Sequence, residues 1–356
     1  MLSHFQVAPL LEARSRGLGG SVALDTSLGA PGHARAEAHV REDGVTVVGE
    51  RVRGDPTQGT AEVRLGWAAL EGVVASPNGV FEVREDGELV RVQRFLEREG
   101  GEGTGRPYSL MATGEGTPPT MLVAGFGMHR ILGTDPGRDT RDKVGPLGRG
   151  MAGMRCLDTC CGLGYTAIEM ARRGATEVTT VEIDPAGLYV CSMNPWSARL
   201  FEGTEGGEDD AQGHAQDVGK GKGKGKGKGK GKGGGGAAKD QGRRIGRILG
   251  DSYALLPTLG TGSLDRILHD PPALAIDVSG LYSTEIYAEF HRCLSDRGKV
   301  FHYIGDLASK SGAATARSAE RRLAEVGFEV TRCPEAFGLV AAKRRAPRVN
   351  KYAQIE

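Results

Sequence analysis

Residues 155–166 read Arg-Cys-Leu-Asp-Thr-Cys-Cys-Gly-Leu-Gly-Tyr-Thr, and residues 180–185 read Thr-Val-Glu-Ile-Asp-Pro. A short apolar strand ends in Asp158, and the chain then turns through Gly162 and Gly164. A helix follows, carrying Ile168 and Ala171 and closing on Arg172 and Arg173. A second strand, Val178 to Val181, ends in Glu182. The order strand, glycine loop, helix, strand, acid is the order of a nucleotide-binding unit. Glycines let the backbone approach a ligand closely. The helix N-terminus leaves N–H groups facing it. An acid closing the second strand can accept hydrogen bonds from both ribose hydroxyls.

Glycine makes up 57 of the 356 residues, so a glycine pair alone is a weak signal, and the spacing decides. The motif is Asp-x-x-x-Gly-x-Gly, not the Gly-x-Gly-x-x-Gly of dinucleotide enzymes, which brings a helix close under a pyrophosphate. Tyr165-Thr166-Ala167 follows Gly164, without the Lys-Ser/Thr pair that clamps phosphates. An acid before the loop suits a cationic ligand end. S-adenosylmethionine fits, with an ammonium and a sulfonium at one end and a ribose at the other. Here the segment resembles the class I S-adenosylmethionine-dependent methyltransferases. The resemblance implies that Asp158, Gly162 and Gly164 cradle the methionine end and that Tyr165 caps it. It implies that Glu182 takes the ribose hydroxyls, that Ile183 packs on the adenine, and that Asp251, in Gly250-Asp251-Ser252, accepts from the adenine amino group. For each of these residues the bland alternative is a strand-end turn.

His269-Asp270-Pro271-Pro272 is the second signal. It resembles the (Asp/Asn)-Pro-Pro-(Tyr/Phe) motif of methyltransferases that act on exocyclic or planar amines. Such an amine is a poor nucleophile because its lone pair is conjugated. An acceptor oxygen from Asp270 and a carbonyl from the rigid Pro271-Pro272 turn can bind its N–H groups and aim the lone pair, so that orientation supplies most of the rate. Position 273 is Ala, where the motif has an aromatic that stacks on the target base. Tyr282, Phe301, His302 and Tyr303 are the candidates to replace it. His269 either lines the same pocket or is a satisfied core histidine.

The chain is long enough for two domains. Lys+Arg 46 against Asp+Glu 45 leaves a net charge of +1, so no global charge argues for nucleic acid. The six cysteines lack a Cys-x-x-Cys pair, so no metal site is expected, and reduced thiols in an intracellular, cytoplasmic protein are the plain reading. The first 17 residues carry Arg and Ser with a single acid; they read as a first strand and turn, with an organellar import leader as the other reading. No apolar run approaches the roughly 20 residues that span a bilayer, so a soluble protein is expected.

Residues 1–105 are rich in short strand signals (45–54, 61–74, 79–96) and read as a small α+β accessory domain. The last stretch holds a hairpin turning at Arg84-Glu85-Asp86-Gly87. Residues 106–145, dense in Gly, Pro and Thr, read as a linker placed to cover an active site, with His129, Arg130, Asp135 and Asp139 as its polar groups. Residues 146–345 alternate strand and helix, predicting an α/β, doubly wound, mainly parallel seven-stranded sheet with its ligand beyond the carboxyl ends of the strands. Strands are expected at 155–158, 178–182, 247–251, 265–270, 299–304 and 337–343, and helices at 165–173, 185–193, 283–294 and 317–326. Residues 202–242, with an alternating Gly-Lys run, have nothing apolar to bury and read as a disordered insertion. Residues 346–356 are a tail.

Taken together, residues 120–342 look like a family of predicted methyltransferases found mainly in archaea and some bacteria. That resemblance implies an enzyme acting on RNA, ribosomal or transfer, with a cytosine amino group as target, and it raises His129, Arg130 and Asp135 as substrate-side residues. Two alternatives stay open. One is a small-molecule amine methyl- or aminopropyltransferase, for which Asp277 and Glu285 would supply acids around a polyamine. The other is a non-catalytic cofactor- or RNA-binding module. The sequence leaves the oligomeric state open.

Overall fold

The computed structural model describes residues 1–33, 35–50, 60–95, 105–202, 244–272 and 279–343. The expected Gly-Lys insertion, the tail, Ala273 and Asp277 lie outside these residues.

The larger layer is a seven-stranded sheet in the order Arg244–Leu249, Glu177–Glu182, Arg155–Asp158, Leu264–His269, Leu294–Tyr303, Gly338–Lys343, Phe328–Cys333. The first five strands pair in parallel. Gly338–Lys343 runs antiparallel to both of its neighbours, so the sheet is mixed. The strand order reverses beside Arg155–Asp158, opening a crevice between that strand and Leu264–His269, where ligands of open α/β sheets sit. Strand neighbours alternate between the two faces: Leu157, Ile267 and Val300 join one buried cluster with Tyr287, Phe290 and Leu323. Cys156, Leu268 and Phe301 join the opposite cluster with Val144, Met170 and Val178. Period-2 alternation with both faces apolar is what covering helices on both sides require.

Helices Tyr165–Arg172, Pro185–Met193 and Thr284–Cys293 fall where the sequence places them. Lys310–Val326 starts seven residues earlier than the apolar pattern alone indicates, at a Ser309 cap that accepts from Gly312 N–H. The strand Phe328–Cys333 was not among the expected ones. It lies at the sheet edge, and half of it faces outward, so it lacks the apolar run of its neighbours.

The N-terminal part corrects two readings. Residues 4–15 form a helix, not a strand and turn, because Ser3 and Gln6 make a capping box. The stretch 61–74 splits into the strand Thr60–Gly66 and the helix Trp67–Val74, whose Trp67, Leu70 and Val73 bury one face at helical spacing. Ahead of that helix, Gly20–Leu24, Ala36–Val40, Gly44–Glu50 and Thr60–Gly66 form an antiparallel meander. The expected hairpin is present as Phe81–Val83 paired with Leu89–Arg91.

Residues 106–145 are not a bare linker. Pro107–Met111, Thr120–Val123 and Phe126–Gly127 form a second antiparallel sheet together with Gln93–Phe95, and Pro136–Val144 is a helix packed on Tyr165–Arg172. This sheet straddles residue 105, where the sequence places the end of the accessory domain. Among the described residues, no helix is long and apolar enough to cross a membrane.

Candidate active site

The strand ends and the glycine loop form one hydrogen-bonded frame. Cys161 N–H donates to the Val181 carbonyl (2.8 Å), and Gly164 N–H closes a turn on the Cys161 carbonyl (2.7 Å). Gly162 and Gly164 both have positive φ, 54° and 69°. A Cβ on Gly164 would lie 1.9 Å from Leu200 Cδ1, whereas a Cβ on Gly162 would meet nothing within 4 Å. Gly164 is demanded by packing. Gly162 leaves open space over the loop, as a ligand cradle does.

Glu182 binds this loop directly. Gly162 N–H donates to its Oε2 (2.9 Å) and Asp184 N–H to its Oε1 (3.0 Å). Burial pushes the Glu182 carboxyl up, and these backbone donors pull it back in part. Each oxygen keeps a lone pair for a further donor. Asp158 is fully buried. Its Oδ2 accepts from Thr166 Oγ1 (2.9 Å) and Thr180 Oγ1 (3.0 Å), and its Oδ1 is buried without a hydrogen-bond partner. Burial drives its pKa up to about 8, against the two threonine hydroxyls. Ile183 follows Glu182 and is 69% exposed. An orphaned acid oxygen, an open glycine cradle, an acid with spare lone pairs and an exposed apolar side chain fit the ammonium, backbone approach, ribose and adenine of S-adenosylmethionine.

Three cofactor-side expectations meet a different arrangement. The Tyr165 hydroxyl donates to the Pro119 carbonyl (2.8 Å) and accepts from Asn194 Nδ2 (2.8 Å), so it fastens residues 106–145 to the glycine-loop helix. Asp251 is the exposed N-cap of a short helix, its Oδ1 accepting from Tyr253 N–H at 2.8 Å. Ser252 is buried behind it.

The reaction end is built around Asp270, and here the structure brings in a residue that sequence reading missed. Lys143 Nζ lies 2.7 Å from Asp270 Oδ2 and 3.0 Å from Asp139 Oδ2, and 4.2 Å over the Tyr303 ring. Lys143 is 2% exposed and Asp139 0%. Burial works against the Lys143 ammonium, but Asp270 and Asp139 outweigh it and hold its pKa above the ordinary value. Burial also pushes Asp270 up, with Lys143 opposing. Asp139 ends below the ordinary range, because Lys143 and Arg130 overcome its burial. Asp139 and Lys143 are four residues apart on one helix, and Asp135 followed by Pro136 marks the helix start. That signal is present in the sequence, inside a stretch whose Gly, Pro and Thr content reads as a linker.

Arg130 belongs to the same chain of charges. Its Nε meets Asp139 Oδ1 at 2.5 Å, its Nη2 meets Asp142 at 3.2 Å and its Nη1 donates to the Glu335 carbonyl at 3.1 Å, while its guanidinium stacks on Phe337. These contacts make it a structural cation, not a free substrate-side one. Asp135 caps its helix through Arg138 N–H. His129 shares a hydrogen bond with Thr120 Oγ1 (2.9 Å) and packs 5.2 Å from the Tyr165 ring. Burial, with Lys143 adding to it, lowers its pKa to about 3, so it is neutral.

His269 resolves to the core reading: Nδ1 pairs with Thr159 Oγ1 and Nε2 with the Leu281 carbonyl, both at 2.7 Å, and burial lowers its pKa to about 4. His302 is buried between the rings of His269 and Tyr282, with Nε2 2.9 Å from the Tyr287 hydroxyl. Phe301 is a core side chain. Tyr282 is also buried, and the charge of Asp270 adds to burial in raising its pKa, which leaves Tyr282 and Tyr303 as the aromatic groups nearest the reaction end. Pro271 is buried and Pro272 half-buried after the strand. Glu285 is exposed. Among the described residues no group of His, Cys, Asp or Glu is arranged to hold a metal.

No protein-family model matches the chain. The uncharacterized protein MJ1233 of Methanocaldococcus jannaschii is 35% identical over 240 residues, covering 67% of this chain and 67% of that protein. Among solved structures, a spermidine synthase in complex with the transition-state analogue AdoDATO aligns at 12% identity and a TM-score of 0.43, covering 75% of this chain and 80% of that one. Spermidine synthase from Thermotoga maritima aligns at 10% identity and a TM-score of 0.44 over 71% and 79% of the two chains. A methyltransferase from Geobacter sulfurreducens aligns at 14% identity and a TM-score of 0.34 over 59% and 78%.

Proposed function

We propose, from the premise that this chain belongs to the family of the uncharacterized protein MJ1233 of Methanocaldococcus jannaschii, that it is an S-adenosylmethionine-dependent methyltransferase. In this reading it methylates an exocyclic amino group of an RNA base, with the cytosine amino group of ribosomal or transfer RNA the first candidate. The observation that supports it best is the convergence of Glu182, Asp158 and Asp270 on the carboxyl ends of three adjacent parallel strands at the switch point.

When bound, S-adenosylmethionine supplies a sulfonium methyl to a nitrogen lone pair: the C–N bond forms, the C–S pair returns to sulfur, and the nitrogen sheds one proton. The protein's own share is orientation. Gly162 and Glu182 hold a nucleoside through the loop backbone and the acid. Asp270 accepts one N–H of the acceptor amine, with the carbonyl of the rigid Pro271-Pro272 turn offering a second acceptor, so the lone pair points away from both. Fixed acceptors at a partly desolvated strand end lower the cost of aligning a poor nucleophile. The departing proton passes to water through Asp270, whose side chain keeps 21% exposure. The aromatic that the motif lacks at position 273 is replaced by Tyr282 or Tyr303.

Mass spectrometry of RNA nucleosides from cells with and without the gene tests this reading. Loss of one methylated nucleoside, restored by the wild-type gene but not by Asp270→Ala, is expected. An unchanged nucleoside profile sinks the RNA assignment.

A further inference from the structure

We propose that Lys143 determines acceptor specificity: by neutralising Asp270 it makes the pocket accept an uncharged conjugated amine and reject a protonated alkylamine. This deepens the methyl-transfer reading and rests on it.

Asp142, Arg130, Asp139, Lys143 and Asp270 form a continuous chain in which each cation bridges two carboxylates, with Asp142 at one end and Asp270 at the other. Lys143 has three N–H donors, and its surroundings engage it on three sides: Asp270, Asp139 and the Tyr303 face. It is almost fully buried, so water does not screen it. Asp270 has its Oδ2 committed to Lys143, while among the described residues none donates a hydrogen bond to its Oδ1. An entering group therefore meets one acceptor oxygen of a neutral pair.

A neutral amine on a base ring needs an acceptor and brings no charge, so it matches that oxygen. A protonated alkylamine brings a third cation to a carboxylate already paired, and its own desolvation goes uncompensated. The other titratable groups facing the pair do not change the balance. His129 is neutral, Tyr303 and Tyr282 are uncharged phenols, Asp158 has its pKa raised by burial, and Asp142 sits on Arg130 at the opposite end of the chain from Asp270.

The test is a calorimetric titration of spermidine into the full-length chain, with and without saturating S-adenosylhomocysteine. Wild type and Lys143→Arg are expected to show no binding. Lys143→Met leaves Asp270 and Asp139 short of a cation and is expected to bind spermidine at least tenfold more tightly than wild type. If Lys143→Met fails to fold by circular dichroism, the double variant Lys143→Gln/Asp139→Asn leaves Asp270 without its cation and Arg130 paired with Asp142, and is expected to show the same gain. Wild-type binding of spermidine as tight as that of the variants, or a Lys143→Arg chain that binds like Lys143→Met, overturns the proposal. A chain that fails to bind S-adenosylhomocysteine in its own titration overturns the cofactor reading instead, and the spermidine comparison on the free chain still decides the role of Lys143.

Discussion

Gly162 donates its backbone N–H to the Glu182 carboxylate at 2.9 Å, so the glycine loop and the second acid are one hydrogen-bonded unit. Glu182 uses its other oxygen on Asp184 N–H. Each carboxylate oxygen thus faces a fixed backbone donor. Glu182→Gln turns one of those oxygens into an NH2 that faces an N–H. A hydrogen bond to a charged group contributes about 1.5–3 kcal/mol, and each 1.4 kcal/mol is a tenfold change in affinity. Glu182→Gln is therefore expected to weaken S-adenosylmethionine binding by about 10- to 100-fold with little change in the far-ultraviolet circular dichroism. Calorimetric titration measures it; an unchanged affinity would remove Glu182 from the ribose role.

Asp158 predicts a pH dependence with a definite sign. Burial raises its carboxyl from the ordinary carboxylate range to about 8 in the free protein, so the folded chain holds a proton that the unfolded chain has lost. Stability from this group is full below about pH 4 and declines as pH rises toward 8. A bound ammonium reverses the preference by favouring the ionised acid. S-adenosylmethionine should therefore bind more tightly as pH rises from 6 to 8, with release of a proton detectable by calorimetry in buffers of different ionisation enthalpy. Asp158→Asn should bind weakly, without that pH slope, and its melting temperature should vary less with pH. A wild-type affinity flat from pH 6 to 8 contradicts this assignment.

Much of the fold was legible because its strongest signals are local. The Asp158-to-Gly164 loop, the acid at Glu182 and the Asp270-Pro271-Pro272 turn all combine a strand end with residues of restricted backbone, and all three lie at one edge of the sheet. The charge chain was not legible for the opposite reason. Lys143 and Asp270 are 127 positions apart, and Lys143 lies in a Gly- and Pro-rich stretch whose helix is short and polar. A polar helix that buries charges against one another has no apolar stripe to read. His269 shows the same limit: nothing in the local string distinguishes a pocket histidine from one held by Thr159 and the Leu281 carbonyl.

The two loop glycines should behave differently when each is changed to alanine. Both carry a positive φ, which costs an L-residue roughly 1–2 kcal/mol. Gly164→Ala also drives a methyl to 1.9 Å from Leu200 Cδ1, and overpacking of this kind adds typically 1–3 kcal/mol. Gly162→Ala meets open space and should cost the φ penalty alone, yet it should weaken S-adenosylmethionine binding at least tenfold by filling the cradle. Thermal melts paired with ligand titration separate the two. Equal melting temperatures for both variants would contradict the packing role given to Leu200.

Tyr165→Phe tests whether that phenol holds structure or ligand. Its hydroxyl bridges the Pro119 carbonyl and Asn194 Nδ2 in a buried position, and burial raises its pKa well above the ordinary phenol value. Removing it leaves a buried carbonyl unpaired, while Asn194 keeps Ser197 Oγ as a partner at 2.8 Å. A buried polar group left without its partner costs about 1–3 kcal/mol. A 1 kcal/mol change lowers the melting temperature by roughly 2–4 °C for a chain of 150–250 residues, and by no more than that for one as long as this. Binding of S-adenosylmethionine should stay within about threefold of wild type, since each 1.4 kcal/mol would be tenfold and the hydroxyl is spent on Pro119 and Asn194. The opposite pattern, an unchanged melt with a tenfold loss of affinity, would return Tyr165 to the methionine end of the pocket.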